Sequence, residues 1–87
     1  MIELVRVEVG GARELVLSFS DGSSGRWSAE AVIARDTVLT RPLEDPAYFG
    51  RAFIEAGALA WPNGLEFSAH SLHAKLAEAG TLVRKAA

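Results

Sequence analysis

The chain has 87 residues, 49% of them hydrophobic, and a formal net charge of −2 at pH 7. This length accommodates one domain and excludes two, and the hydrophobic fraction argues against a disordered chain. The absence of cysteine excludes disulfides, thiolate catalysis and cysteine-ligated zinc.

The patterns of charge and hydropathy indicate where the protein is located in the cell and which class of macromolecule it binds. The arginines are scattered, without a stripe that follows a phosphate backbone, so we do not expect direct nucleic-acid binding. No basic and apolar leader begins the sequence, and the longest uncharged run, residues 56–65, is too short to span a bilayer. We therefore expect a cytoplasmic protein without a membrane segment, whose acidic balance favours a basic partner surface.

Three successive strands are predicted in the N-terminal third, at residues 2–9, 15–19 and 25–27. Apolar residues alternate along the first strand, with its three valines on one face and Leu4 on the other. The Asp-Gly pair at residues 21–22 is a hairpin signal between the second strand and the third. Because consecutive strands usually pair, the pattern indicates an antiparallel meander.

The segment after the third strand combines a short helix with an apolar patch. Ser28 is placed to cap a helix over residues 29–34. Val38 and Leu39 then predict a small buried patch, and Leu43 is expected to point into the core.

The stretch from Asp45 to Trp61 has two interpretations. Asp45 as N-cap and Pro46 at the first helical position start a helix in both. Helical spacing of the apolar residues slightly favours one helix over residues 46–56. The alternative is a single helical turn followed by a strand at residues 51–55, which forms a hairpin with a strand that ends at Trp61.

The motif Trp61-Pro62-Asn63-Gly64 joins a large aromatic residue to three turn-forming residues. Pro62 supplies the φ of the second position of a β-turn, Asn63 tolerates the third position and Gly64 suits the fourth. We expect Trp61 to pack inward as a core anchor, with its indole N–H donating to a carbonyl or a water. The competing interpretation is that Trp61 and Asn63 contact a ligand.

The C-terminal part predicts a helix and a tail. Ser68 caps a helix over residues 69–79, which Gly80 ends. Residues 81–87 are predicted to form a frayed tail.

Few side chains in the sequence indicate catalysis or metal binding. His70 and His73 have the i, i+3 spacing that brings two imidazoles together on a helix, but no third metal ligand can be identified beside them. The serines lie outside any nucleophile motif, and no acid, base and nucleophile can be assembled into one constellation. We therefore expect no catalysis, no cofactor and no metal.

Four ordered landmarks resemble the bacterial family catalogued as domain of unknown function 2442. They are Leu17-Ser18-Phe19-Ser20-Asp21-Gly22, Leu43-Glu44-Asp45-Pro46-Ala47-Tyr48-Phe49, Trp61-Pro62-Asn63-Gly64 and Leu72. The resemblance implies a compact α+β fold, no established enzyme activity and no assigned catalytic residues. Some members are encoded beside another small protein in a toxin–antitoxin-like arrangement. The chain departs from the family at Trp27-Ser28, where members often carry an acidic residue followed by an apolar one.

The resemblance also decides between the two interpretations of residues 46–56, because the family has strand–turn–strand there. We therefore expect an α+β fold with a small antiparallel sheet, made of the three-stranded N-terminal meander and a hairpin leading to Trp61. Short helices and one C-terminal helix complete this domain, over residues 1–80, and the tail follows at residues 81–87.

The expected function is a non-catalytic protein-interaction or regulatory module. It would be the antitoxin-like partner of a neighbouring small protein, with a homodimer through a sheet edge as a further possibility. The alternative is a small-ligand or nucleic-acid binding domain that uses Trp61, Asn63 and Trp27. The residues singled out for the structural motif or for an interaction are Trp61, Pro62, Asn63, Gly64, Asp45, Pro46 and Trp27.

Overall fold

The structure, a computed structural model, describes residues 1–84. The strands are β1 (Leu4–Gly11), β2 (Glu14–Phe19), β3 (Ser23–Ser28), β4 (Phe53–Glu55), β5 (Ala58–Ala60), β6 (Glu66–Phe67) and β7 (Val83–Arg84). The helices are α1 (Glu30–Ile33), a 3₁₀ helix (Arg41–Glu44), α2 (Pro46–Phe49) and α3 (Ala69–Glu78). The fold is therefore α+β, as expected.

The N-terminal meander forms the first sheet, whose strand order is β1-β2-β3-β7 with all pairs antiparallel. The predicted alternation in β2 is confirmed, because Leu15, Leu17 and Phe19 are all buried on one face. This face turns towards α3 and the second sheet, and the core is continuous between them.

The predicted alternation along β1 is wrong at Leu4 and Val5, whereas Val7 packs against the core as predicted. Leu4 is buried, whereas Val5 and Val9 are 59% and 58% exposed. The pairing with β2 shifts register between Leu4 and Arg6, so alternation is interrupted at Val5. Val9 lies on the outermost strand of the sheet, where little covers it.

The hairpin interpretation of residues 46–56 is confirmed, and the continuous helix is not formed. Helix α2 ends at Phe49, and β4 pairs with β5 and β5 with β6 in a second antiparallel sheet. The connection between β4 and β5 is a two-residue turn in which Ala56 has φ of 49° and Gly57 has φ of 82°. Positive φ at both positions is what a type I′ turn requires.

The turn after Trp61 forms as predicted. The Gly64 N–H donates to the Trp61 carbonyl over 3.0 Å, and the Trp61 N–H donates to the Leu65 carbonyl over 2.9 Å. Gly64 alone in this motif takes a positive φ, of 93°. The turn centred on Pro62 and Asn63 therefore joins β5 to β6.

Local capping is confirmed at α2 and α3. The Asp45 carboxylate accepts the Ala47 N–H over 3.1 Å, and Pro46 occupies the first turn of α2. The Ser68 hydroxyl accepts the Ser71 N–H over 3.1 Å.

The segment between α1 and the 3₁₀ helix differs from its prediction. Val38 is 80% exposed and Leu39 is also exposed, so they form no buried patch. Thr37 and Thr40 bond each other through backbone and hydroxyl groups, and this local turn buries Thr40 instead. Leu43 points into the core, as predicted.

The chain after Gly80 is more ordered than predicted. The Thr81 N–H donates to the Leu76 carbonyl over 3.0 Å, and β7 then pairs with the start of β3. The predicted tail therefore begins as the fourth strand of the first sheet, and its residues 85–87 lie outside the described residues. None of the helices in residues 1–84 is long and apolar enough to cross a membrane.

Candidate functional site

Trp61 lies inside the core. Its side chain is 1% exposed, and the indole Nε1–H donates to the Phe49 carbonyl over 3.0 Å. The ring centroid lies 5.9 Å from that of Phe49, 6.2 Å from that of Trp27 and 6.3 Å from that of Phe67. The indole therefore joins α2 to both sheets, and its hydrogen-bond donor is satisfied inside the protein.

Asn63 connects three segments of the fold. Its N–H donates to the Tyr48 hydroxyl, its side-chain amide donates to the Leu39 carbonyl, and its side-chain oxygen accepts the Leu65 N–H. These distances are 3.0, 3.0 and 3.1 Å. The polar groups of Asn63 are thus engaged within the fold, and Trp61 is buried beside it.

Trp27 is placed differently, because it lines a groove of the described residues. This groove lies between α1 and α3, over β3 and β6, and has a volume of about 630 Å³. Trp27 is 6% exposed and packs against Phe67, with ring centroids 5.5 Å apart. The remaining apolar lining comes from both helices: Ala31, Val32, Leu72, Leu76 and Ala79.

Three cations surround this apolar floor. Arg26 comes from β3, Arg35 follows α1 and Lys75 lies on α3. Glu66 is the one carboxylate among the lining residues. The groove is therefore cationic, although the whole chain has a net charge of −2.

The three cationic side chains of the groove differ in whether they form an ion pair within the chain. Arg26 forms an ion pair with Glu14. Within residues 1–84, neither Arg35 nor Lys75 lies in an ion pair. Two cationic side chains of the rim are thus available to an acidic group that enters the groove.

The sequence offered little to indicate this site. Arg26, Arg35 and Lys75 are far apart along the chain and belong to three elements. The acidic balance of the whole chain predicted a basic partner, whereas the groove has the opposite local charge. Of the residues that line the groove, sequence reasoning indicated only Trp27, through the alternative ligand-binding interpretation.

A second polar cluster joins the β2–β3 turn to α3. The Asp21 carboxylate accepts the Ser23 N–H over 2.9 Å and also the Ser23 hydroxyl, and its other oxygen lies 3.0 Å from His73 Nε2. The hydroxyl and the backbone N–H of Ser23, followed by His73, lower the pKa of Asp21 to about 2. The His73 ring also meets Phe19 edge to face, with centroids 5.1 Å apart.

The hydrogen bonds of this cluster hold the β2–β3 turn against α3. Ser23 is buried, and its hydroxyl donates to the Asp21 carboxylate. The same carboxylate lies between this hydroxyl and the His73 ring. A nucleophile needs a base within hydrogen-bond reach, and that pairing is not formed here. Among residues 1–84, no three histidine, aspartate or glutamate side chains are grouped to hold a metal ion, and His70 is exposed.

The chain was also compared with known proteins. No family model, no curated protein sequence and no solved structure matches it.

Proposed function

We propose that the protein is a non-catalytic interaction module that binds a segment of another protein in the groove between α1 and α3. The observation that carries this proposal is the aromatic and aliphatic floor of the groove inside a rim of three cations. An apolar concavity with a few placed polar groups is the usual form of a binding site, and about 630 Å³ lies within the range of about 300–1,000 Å³.

The composition of the groove favours a peptide segment with both apolar and acidic side chains. Tryptophan and arginine are enriched where interfaces gain most of their binding energy, and Trp27, Arg26 and Arg35 meet here. Apolar side chains of the partner would contact Trp27 and Phe67. Its carboxylates would pair with Arg35 and Lys75, which are without ion-pair partners in residues 1–84.

The resemblance to the family of unknown function adds the expectation that this partner is the product of an adjacent gene. The module would then act in the cytoplasm as the antitoxin-like half of a pair.

The test is a peptide-display selection on the wild-type protein, followed by affinity measurement with the enriched peptides. We expect peptides that combine acidic and apolar residues. The double variant Arg35→Glu and Lys75→Glu should weaken their binding about tenfold or more, because two favourable charges become repulsive. The matched control is Arg41→Glu with Arg51→Glu, which makes a similar charge change at exposed arginines outside the groove.

Two outcomes would contradict the proposal. Equal weakening by both double variants would mean that binding depends on net charge and not on the groove. Chemical-shift changes in NMR that avoid Trp27 and Phe67 would place the peptide elsewhere.

A second candidate is a small anionic ligand in the same groove. It is favoured by the volume of about 630 Å³ and by the apolar lining that Trp27 and Phe67 provide beside the three cations. Thermal-shift screening against carboxylated small molecules distinguishes the two candidates, since a bound ligand raises the melting temperature as its concentration exceeds its dissociation constant.

A further inference from the structure

Strand β1 has the longest free edge in the described residues. It stands at the end of the sheet order and is 8 residues long. The other outermost strands, β7, β4 and β6, have 2, 3 and 2 residues. A free edge carries unpaired N–H and C=O groups and is a template for another strand.

The free part of β1 starts after Leu4. The Leu4 N–H donates to the Gly57 carbonyl over 2.8 Å, so the β4–β5 turn closes that end of the edge. Beyond it, Val5 and Val9 are both more than half exposed. The edge available to a second strand is therefore the segment Val5-Arg6-Val7-Glu8-Val9.

This segment is complementary to itself. About Val7, its apolar residues are symmetric, and its charges are opposite in sign at equal distance. We propose that two copies of the chain pair β1 with β1 in antiparallel orientation, about a two-fold axis at Val7. In that register Arg6 lies opposite Glu8 of the second copy, and Val7 lies opposite its own counterpart on the axis.

Arg6 and Glu8 are placed where they can form ion pairs with the second copy. Arg6 and Glu8 lie opposite Ser18 and Val16 of β2, on the face of the sheet that turns away from the core. Within one chain they form an exposed ion pair with each other. A two-fold interface repeats every contact, so the dimer replaces two intrachain pairs by two pairs between copies.

The same charges select the register. A slip by two residues in one direction sets Arg6 against Arg6 of the second copy, and a slip in the other direction sets Glu8 against Glu8. Like charges directly opposite each other destabilise a strand pair. The proposed register alone, among these three, pairs opposite charges. It does not depend on the groove between α1 and α3, to which β1 contributes no residue.

The test measures the mass in solution by sedimentation equilibrium from about 10 μM to about 1 mM, a range that suits a weak interface. We expect association towards twice 9.3 kDa. The single variants Arg6→Glu and Glu8→Arg should each weaken the dimer about tenfold or more, because each sets like charges opposite each other. An equimolar mixture of the two variants should restore association, since the glutamate introduced at position 6 of one copy then faces the arginine introduced at position 8 of the other.

The double variant Arg6→Glu with Glu8→Arg should dimerise like wild type, because the exchanged charges remain complementary. Arg13→Glu is the matched control, since Arg13 forms an ion pair with Glu30 away from the free segment of β1. Circular dichroism at low concentration verifies that each variant is folded. The proposal is overturned if wild type and the mixture stay monomeric at 1 mM, about the top of the range tested. A dimer that neither single variant weakens would overturn it equally, since it would use another surface.

Discussion

One substitution in the turn between β4 and β5 distinguishes the hairpin from a helix over residues 46–56. The change that it causes in the free energy of unfolding has opposite signs for the two structures. Ala56 has φ of 49°, a conformation that costs an L-residue about 1–2 kcal/mol relative to its right-handed alternative. Asparagine tolerates this conformation, and Asn-Gly is the preferred pair of a type I′ turn. Ala56→Asn should therefore stabilise the protein by about 0.5–1 kcal/mol.

The opposite sign is expected if residues 46–56 form a helix. Asparagine in a helix is about 0.5–0.7 kcal/mol less favourable than alanine, so the same variant would then be destabilised. Ala74→Asn supplies that reference, because Ala74 is an exposed residue of α3. The structure predicts opposite signs for the two variants, and a helix at residues 46–56 predicts the same sign.

The measurement is thermal and urea unfolding of the wild type and the two variants. For a domain of this size, 1 kcal/mol corresponds to a change of about 4–8 °C in melting temperature. We expect the melting temperature of Ala56→Asn to rise by about 2–8 °C and that of Ala74→Asn to fall by about 2–6 °C. A decrease for Ala56→Asn, with an unchanged m-value, would refute the turn conformation described above.

Two further predictions concern the core and the polar cluster. Trp61→Phe should destabilise the protein by about 2–3 kcal/mol in urea unfolding, because it removes the indole donor from the Phe49 carbonyl and leaves unfilled volume; a loss below about 0.5 kcal/mol would contradict a buried anchor. Since the folded-state pKa of Asp21 is lowered to about 2 from 3.8, its contribution to stability is present above pH 3.8 and is lost as the pH falls towards 2. Asp21→Asn should flatten that part of the stability profile, and an unchanged profile would show that other carboxylates cause it.

Several elements could be predicted because their causes are local. The Asp45 cap, the Ser68 cap and the turn at Pro62 each depend on side chains within a few residues of the backbone groups they satisfy. The alternation in β2 is equally local, and it identified the face that the core covers. These features needed no knowledge of the rest of the chain.

Other elements depended on partners far along the chain. Periodicity alone favoured a helix at residues 46–56, and pairing of β4 with β5 outweighs that preference. The interruption in β1 follows from its register with β2, which shifts between Leu4 and Arg6 and leaves Val5 exposed. Strand β7 exists because β3 offers an edge, which no local pattern around Val83 could indicate.

The sequence by itself therefore determined the caps of α2 and α3, the turn after Trp61 and the burial of Trp61, since these follow from short-range chemistry. Only the tertiary structure decided where the surface charges meet. Arg26, Arg35 and Lys75 become neighbours of one groove because β3, α1 and α3 pack around it. The free edge of β1 likewise results from the strand order, since an edge is defined by the absence of a neighbour within residues 1–84.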